Sequence, residues 1–341
     1  MDKKKIDWNA LSFNYIKTDK RYVAHTKEGK WTQGELIEDE TITLNESAGV
    51  FQYAQTCFEG LKAYTAKNGK VVVFRPELNA QRMANTCKRL CIPELPKEIF
   101  LEAIEQVVKA NAAYVPPFGS GATLYLRPFI IGSSPVIGVK ACDEYQFRLF
   151  ATPVGSYFKG GIAPIKIMVS EYDRAAPNGT GSIKAGLNYA MSLYPSKVAK
   201  DKGFAENMYL DAKTRTFVEE TGGANFIFVT KDNKIITPKS DTILPSITRR
   251  SLLIVAKEVL GLEVEERSVP FDEVESFVEC GLCGTAAVIS PVGLIHTQEK
   301  DIIFNNDPNI IGPIIMKLYK TLIGIQLGEI EAPGDWIKEI I

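Results

Sequence analysis

The sequence predicts an α+β chain of two domains, and three observations carry that prediction. Its 341 residues exceed the roughly 100 to 200 that one domain usually holds. In the N-terminal half, strand-period runs come first and helix-period runs follow them. Glycine and proline then concentrate at mid-chain in Pro153-Val-Gly-Ser-Tyr157-Phe-Lys-Gly160-Gly161. This makes 154–164 an interdomain loop between an N-terminal domain, 1–153, and a C-terminal domain, 165–341.

The first domain opens as antiparallel sheet. Tyr22 to Thr26 and Trp31 onward flank a Glu28-Gly29 turn, and Gly60 to Tyr64 with Val71 to Phe74 flank Lys67-Asn68-Gly69-Lys70, so two hairpins are expected. Pro76 starts a helix whose apolar positions Ala80, Met83, Cys87, Leu90 and Cys91 recur at three and four, and Ile99, Ala103, Val107 and Ala110 mark another. Arg82 lies at the edge of the first stripe. Ala122 to Ile131 has strand character, and a period of two puts Tyr125 and Arg127 on one face, opposite Leu124 and Leu126. A tyrosine and an arginine on one sheet face suit a carboxylate. Tyr145 to Thr152 follows as another strand.

Beyond the loop, strands are expected from Ile165, at Met208 to Leu210, Thr216 to Val218 and Phe226 to Val229, with turns at Asp211-Ala-Lys-Thr and Lys231-Asp-Asn-Lys. Ser246 is placed to cap a helix that ends near Gly261. Its first amides form a natural phosphate seat. Gly284-Thr285-Ala286-Ala287 is a small-residue turn, and Ile310 to Ile325 makes a terminal helix.

Composition narrows the chemistry. With 45% hydrophobic and 24% charged residues and a net charge of -1, the chain fits a soluble cytoplasmic protein with no electrostatic case for nucleic acid or an acidic membrane. No apolar run is long enough to span a bilayer. Six cysteines in such a chain are expected to be reduced, mostly core residues. His25 and His296 are the only histidines, and neither sits in a motif, so a histidine base or a zinc site is not expected.

What remains is lysine, tyrosine, carboxylates or a cofactor. Pro177 to Tyr189 reads Pro-Asn-Gly-Thr-Gly-Ser-Ile-Lys-Ala-Gly-Leu-Asn-Tyr, and its glycines allow φ > 0 and close ligand approach around Lys184. A P-loop is excluded by the glycine spacing and by Ala185 after the lysine. If Lys184 forms a Schiff base with a phosphate-bearing aldehyde such as pyridoxal phosphate, it needs phosphate donors, a carboxylate for the pyridine nitrogen and a hydroxyl near the phenolic oxygen. Arg82 and the Ser246 helix start, Glu219 or Glu220, and Tyr189 offer these; spacing does not choose between the two glutamates.

Several segments, in order along nearly the whole chain, resemble the branched-chain amino acid aminotransferases of the class IV, fold type IV pyridoxal-phosphate enzymes. They are Tyr53-Ala-Gln-Thr-Cys-Phe58-Glu-Gly, Phe74-Arg-Pro-Glu-Leu-Asn-Ala-Gln-Arg82-Met, Leu124-Tyr125-Leu-Arg127-Pro, Pro153-Val-Gly-Ser-Tyr157, Lys184-Ala-Gly-Leu-Asn-Tyr189, Glu220-Thr-Gly-Gly-Ala-Asn225, Leu244-Pro-Ser-Ile-Thr-Arg and Gly284-Thr-Ala. The resemblance implies a smaller N-terminal α+β domain and a larger C-terminal mixed, barrel-like sheet domain. It implies that Lys184 is the Schiff-base lysine and proton shuttle, that Tyr189 contacts the pyridine oxygen, and that Glu220 pairs with the ring nitrogen. Arg82, the backbone of Ile247 and Thr248, and Thr285 would hold the phosphate. Tyr125 with the amides of Thr285 and Ala286 would take the substrate carboxylate, and Tyr53, Phe58 and Tyr157 would line an apolar pocket. Arg127 would orient those tyrosines or meet glutamate's second carboxylate.

The implied reaction is ping-pong transfer of the amino group between leucine, isoleucine or valine and 2-oxoglutarate, by a cytoplasmic homodimer in which Val139 reaches the neighbour's pocket. The rivals are D-amino acid transamination, an aminodeoxychorismate lyase, and a non-catalytic binding protein. Two departures stand out. Leu187 replaces the family's second glycine, and Ala287 and Ser290 stand where mammalian members carry a redox Cys-x-x-Cys. Cys280-Gly-Leu-Cys283, just upstream, raises the hypothesis of an oxidisable pair that distorts the following turn.

Overall fold

The computed structural model describes residues 3–156, 158 and 161–341. The chain forms two compact units: Met1–Tyr157 with Ile183–Leu187 and Gln326–Ile341, and Phe158–Ser182 with Asn188–Ile325.

The first unit begins with β1 (Arg21–Lys27), β2 (Lys30–Trp31), β3 (Glu35–Ile37), α1 (Gly49–Tyr53), β4 (Thr56–Phe58), β5 (Leu61–Thr65) and β6 (Val71–Phe74). Helices α2 (Pro76–Arg89) and α3 (Lys97–Ala110) follow, then β7 (Thr123–Gly132) and β8 (Tyr145–Val154). Both expected hairpins form. Glu28 and Gly29 both take positive φ (51° and 74°), the backbone that a two-residue hairpin turn needs. All ladders of this sheet are antiparallel.

Helices α2 and α3 bury their apolar stripes on one face of it. Met83, Cys87, Phe100, Ala103, Ile104 and Val107 join Leu124, Leu126, Phe147 and Leu149 in one core, with the Phe147 ring against Tyr22, Trp31 and Phe100. The stripes end earlier than their periodicity suggests. α2 stops at Arg89, and Cys91 takes φ 55°, which turns the chain so that Ile92 is buried and Cys91 is exposed. Ala110 likewise lies on the solvent side, the last buried positions of α3 being Val107 and Val108.

The second unit contains β9 (Ile165–Val169), residues of α4 (Gly186–Met191), α5 (Leu193–Asp201), β10 (Glu206–Met208), β11 (Asn225–Val229), β12 (Ile235–Pro238) and α6 (Ile247–Ile254). It continues with β13 (Val264–Arg267), β14 (Glu279–Gly284), β15 (Val288–His296), β16 (Asp301–Ile303) and α7 (Pro313–Gln326). These eight strands form a mixed sheet in the order β10-β9-β15-β14-β11-β12-β13, with β16 on β15. Phe226, Phe228 and Phe277 stack within its core.

Thr216 to Val218 is not a ladder strand. The Asp211 carboxylate accepts the amides of Thr214, Thr216 and Phe217, so the segment makes a side-chain-stapled turn joined to its neighbours by isolated bridges. Finally β17 (Ile337–Glu339) pairs antiparallel with β6, so the C-terminus completes the first unit's sheet.

α7 starts three residues beyond the expected Ile310. The reason is Glu279, 3% exposed, whose carboxylate accepts the amides of Ile314 at 3.1 Å and Ile315 at 2.8 Å and so caps the helix. Gly312 makes room, since a Cβ there would lie 2.1 Å from the Glu279 carboxyl carbon. Replacing Glu279 with alanine leaves those amides buried and unpaired. It should lower unfolding stability by about 1–3 kcal/mol, read as a shifted urea midpoint; an unchanged midpoint would remove the capping role.

Candidate active site

In the first unit, Lys184 is held through its backbone. Phe58 N donates to the Lys184 carbonyl at 3.1 Å, Lys184 N donates to Thr86 Oγ1 at 3.2 Å, and Ala185 bridges Cys57. These contacts dock the segment on β4 and α2. Gly186 permits it, since a Cβ there would meet Thr56 Cγ2 at 2.9 Å. Gly179, Gly181 and Gly186 all lie outside the positive-φ set, so the expectation of φ > 0 fails and close approach is what at least Gly186 supplies. Leu187 sits in the first turn of α4 with helical backbone, a geometry that needs no glycine.

The Lys184 Nζ lies 4.7 Å from the Phe58 ring centroid. Burial, reinforced by Arg82 and Arg127 and opposed by Glu59 and Tyr125, lowers its pKa to about 8. Arg82 is buried: its Nε and Nη2 each meet Glu59 at 2.7 Å, and Asn79 Nδ2 donates to the same carboxylate at 2.7 Å. A fork held at two nitrogens has a fixed direction. Arg127 Nη2 donates to Tyr125 Oη at 3.1 Å, and its guanidinium lies 4.9 Å from the Phe58 ring centroid. Gly60 leaves space for Tyr125 Oη, where a Cβ would sit at 2.1 Å. Lys62, in register with Tyr125, is lowered to about 8 by burial, and Phe13 meets Tyr125 edge-on at 5.2 Å. Lys184, Arg82, Phe58, Tyr125 and Arg127 are thus gathered. Tyr53 points elsewhere: its hydroxyl donates to the Ile137 carbonyl on an exposed rim, near which Val139 is 88% exposed. Tyr157 lies outside the described residues.

In the second unit, adjacent glutamates are buried with different partners. Glu220 Oε1 meets Arg174 Nη2 and Leu244 N, both at 2.8 Å, and its Oε2 accepts from Asn225 Nδ2 at 2.5 Å. Glu219 instead takes the Thr242 and Ser240 hydroxyls. Burial pushes the Glu220 carboxyl up to about 7, while Arg174 and the Leu244 amide pull against it. Asn225 Oδ1 is buried without a partner among the described residues.

At the start of α6, Ser246 Oγ accepts from Arg249 N at 3.1 Å and the Ser246 carbonyl accepts from Arg250 N. The amides of Ile247 and Thr248 have no partner among the described residues, leaving two donors at a helix N-terminus. Thr285 and Ala286 lie in the β14–β15 hairpin turn, before Val288 at φ 65°. Tyr189 lies on α4, and the paired hydrogen bonds between Thr180 and Asn188 pin the glycine-rich loop to that helix.

The oxidisable-pair hypothesis for Cys280 and Cys283 does not survive. Three residues apart on β14, they face opposite sides and pair in register with different residues. About 10 Å of strand separates them, beyond disulfide reach.

In the first unit, a buried amine of lowered pKa suits an aldehyde; in the second, amides without a partner among the described residues suit a phosphate, and a buried carboxylate suits a protonated ring nitrogen. Sequence reading missed Glu59 and Arg174, the partners that fix Arg82 and Glu220. Each lies outside any helical stripe, so no periodicity marks it. In the cofactor-free protein, the rate at which Lys184 combines with pyridoxal phosphate should rise with pH through about 8, because the neutral amine is the nucleophile. A midpoint near the ordinary lysine value would refute the lowered pKa.

The amino-transferase class IV family model matches residues 56–295. The branched-chain-amino-acid aminotransferase of Haemophilus influenzae is 52% identical over 342 residues, covering 99% of this chain and 99% of that protein. The enzyme of the same name from Helicobacter pylori is 48% identical, with 98% of each chain covered. Among solved structures, the branched-chain amino acid aminotransferase of Escherichia coli superposes with a TM-score of 0.81 at 26% identity, covering 95% of this chain and 100% of that one.

Proposed function

The chain belongs to the amino-transferase class IV family, and we infer that it is a branched-chain amino acid aminotransferase using pyridoxal phosphate. It moves the amino group of leucine, isoleucine or valine to 2-oxoglutarate, reversibly and by alternation of two half-reactions. The observation that carries this is Lys184, an amine of lowered pKa fixed by its backbone beside Phe58.

When bound, pyridoxal phosphate supplies an electrophilic carbon for the amino group and a ring that accepts electrons from the substrate's Cα. The chain's residues do the rest. Lys184 Nζ would take the proton from the substrate's Cα and return it on the other side of the transfer. Glu220, held by Arg174 and the Leu244 amide, would face the ring nitrogen, and Tyr189 would hydrogen-bond the ring oxygen. Arg82, the Ile247 and Thr248 amides and Thr285 would hold the phosphate. Tyr125 and the amides of Thr285 and Ala286 orient the substrate carboxylate. Phe58, with Tyr157, excludes water around an apolar side chain, while Arg127 meets the second carboxylate of 2-oxoglutarate.

We further propose a cytoplasmic homodimer serving amino-acid biosynthesis, with Val139 presented to the neighbouring subunit. Among the described residues no helix is long and apolar enough to cross a membrane.

Lys184→Ala should abolish the absorbance band that the cofactor owes to its bond with Lys184 and cut turnover by at least about 10²- to 10⁴-fold; full activity in that variant would sink the assignment. Arg127→Ala should raise KM for 2-oxoglutarate by about tenfold or more and leave KM for leucine far less changed. Equal effects on both substrates would contradict its role.

A further inference from the structure

The face of the first unit's sheet that α2 and α3 leave uncovered carries a cleft of about 240 Å³, lined by Tyr15, Arg21, Glu40, Phe129, Arg148 and Phe150 among others. Two of these residues are buried cations: Arg21 is 3% exposed and Arg148 is 7%. Buried charges are normally neutralised by an opposite charge in contact. Here they are not. Arg21 donates to the carbonyls of Glu38 at 2.6 Å and Thr18 at 3.0 Å, and Arg148 Nη2 donates to the Asp39 carbonyl at 3.2 Å.

Among the described residues no carboxylate lies within ion-pair distance of either guanidinium, and the Arg21 Nε is buried without a partner. The Nε and Nη1 of Arg148 also have no partner among the described residues, and neither is sealed off from solvent. The neighbouring acids are already engaged. Glu40 meets Lys17 at 3.1 Å and the Tyr15 hydroxyl at 2.6 Å, Glu38 meets Lys20 at 2.7 Å, and Asp39 accepts from Thr41. Burial and the nearby Arg21 both lower the Arg148 pKa, with Asp39 opposing.

The walls are apolar. Phe150 lies edge-on to Phe129 at 6.1 Å and to Tyr15 at 5.8 Å, and Ile42 stands at the side. We propose that this cleft binds a small carboxylic acid with an aryl or branched alkyl tail, its carboxylate on Arg148 Nε and Nη1 with the buried Arg21 charge nearby, and its tail against Phe129, Phe150 and Ile42. The size excludes a macromolecule inside the cleft, and the aromatic walls favour an organic acid over an inorganic anion. The site is independent of the reaction inferred above.

Calorimetric titration of the full chain, loaded with pyridoxal phosphate, tests it with 3-phenylpropanoate and inorganic phosphate as probes. Two variants are compared: Arg148→Gln removes a charge, and Ile42→Trp fills the cleft and keeps both arginines. The wild type should show a 3-phenylpropanoate component that each variant weakens at least about tenfold, with leucine turnover unchanged. Equal binding by wild type and both variants overturns the proposal, as does phosphate binding with the affinity of the organic acid. If the wild type lacks that component and Arg148→Gln alters its sedimentation, a second chain supplies the counter-ion and the small-acid site is wrong. If Arg148→Gln fails to fold, Ile42→Trp decides: retained binding overturns the proposal.

Discussion

The site around Lys184 depends on a backbone constraint. The Phe58 amide on the Lys184 carbonyl, the Thr86 hydroxyl on its amide and the bridge from Cys57 to Ala185 bind the lysine's main chain to β4 and α2. A main chain fixed in this way leaves the side chain as the moving part. Four methylenes can then swing a nucleophile and proton carrier without disturbing the fold that carries it. The arrangement works because α2 and α3 occupy one sheet face, which leaves the alternate residues of β7 and β8 to chemistry.

A second organising principle is how buried charge is neutralised. Arg82 and Arg174 each meet a buried glutamate, and the hydrogen bonds of Asn79, Leu244 and Asn225 occupy further lone pairs of those carboxylates. Pairs of this kind contribute little net stability but fix direction. Arg82 is aimed by Glu59, and Glu220 is aimed by Arg174, which also works against the upward push of burial on its carboxyl. Arg21 and Arg148 break this pattern, and that difference separates a structural ion pair from a site with an anion still to arrive.

Much of this was legible in the sequence. Both N-terminal hairpins, the stripes of α2 and α3, the shared face of Tyr125 and Arg127 and the Ser246 cap follow from local rules, because period and turn chemistry are properties of neighbouring residues. Glu59, Arg174 and Lys62 were not legible, since their partners are distant in the chain and nothing local announces a burial. The resemblance preferred Glu220 to Glu219, which spacing could not do. Thr216 to Val218 misled because Asp211 captures its amides, and Cys91 because a left-handed residue ends the helix just before the stripe would have continued.

The C-terminal strand has a consequence for biogenesis. Lys70 and Glu339, joined by an ion pair across β6 and β17, stand 269 positions apart. During synthesis the β6 edge emerges early and waits for nearly the whole chain before its neighbour leaves the ribosome. An unpaired edge of Val71, Val72, Val73 and Phe74 is adhesive during that interval. The first unit's sheet is therefore completed only after the second unit has been made, and until then Lys184 is already in the chain while that sheet edge stands unpaired.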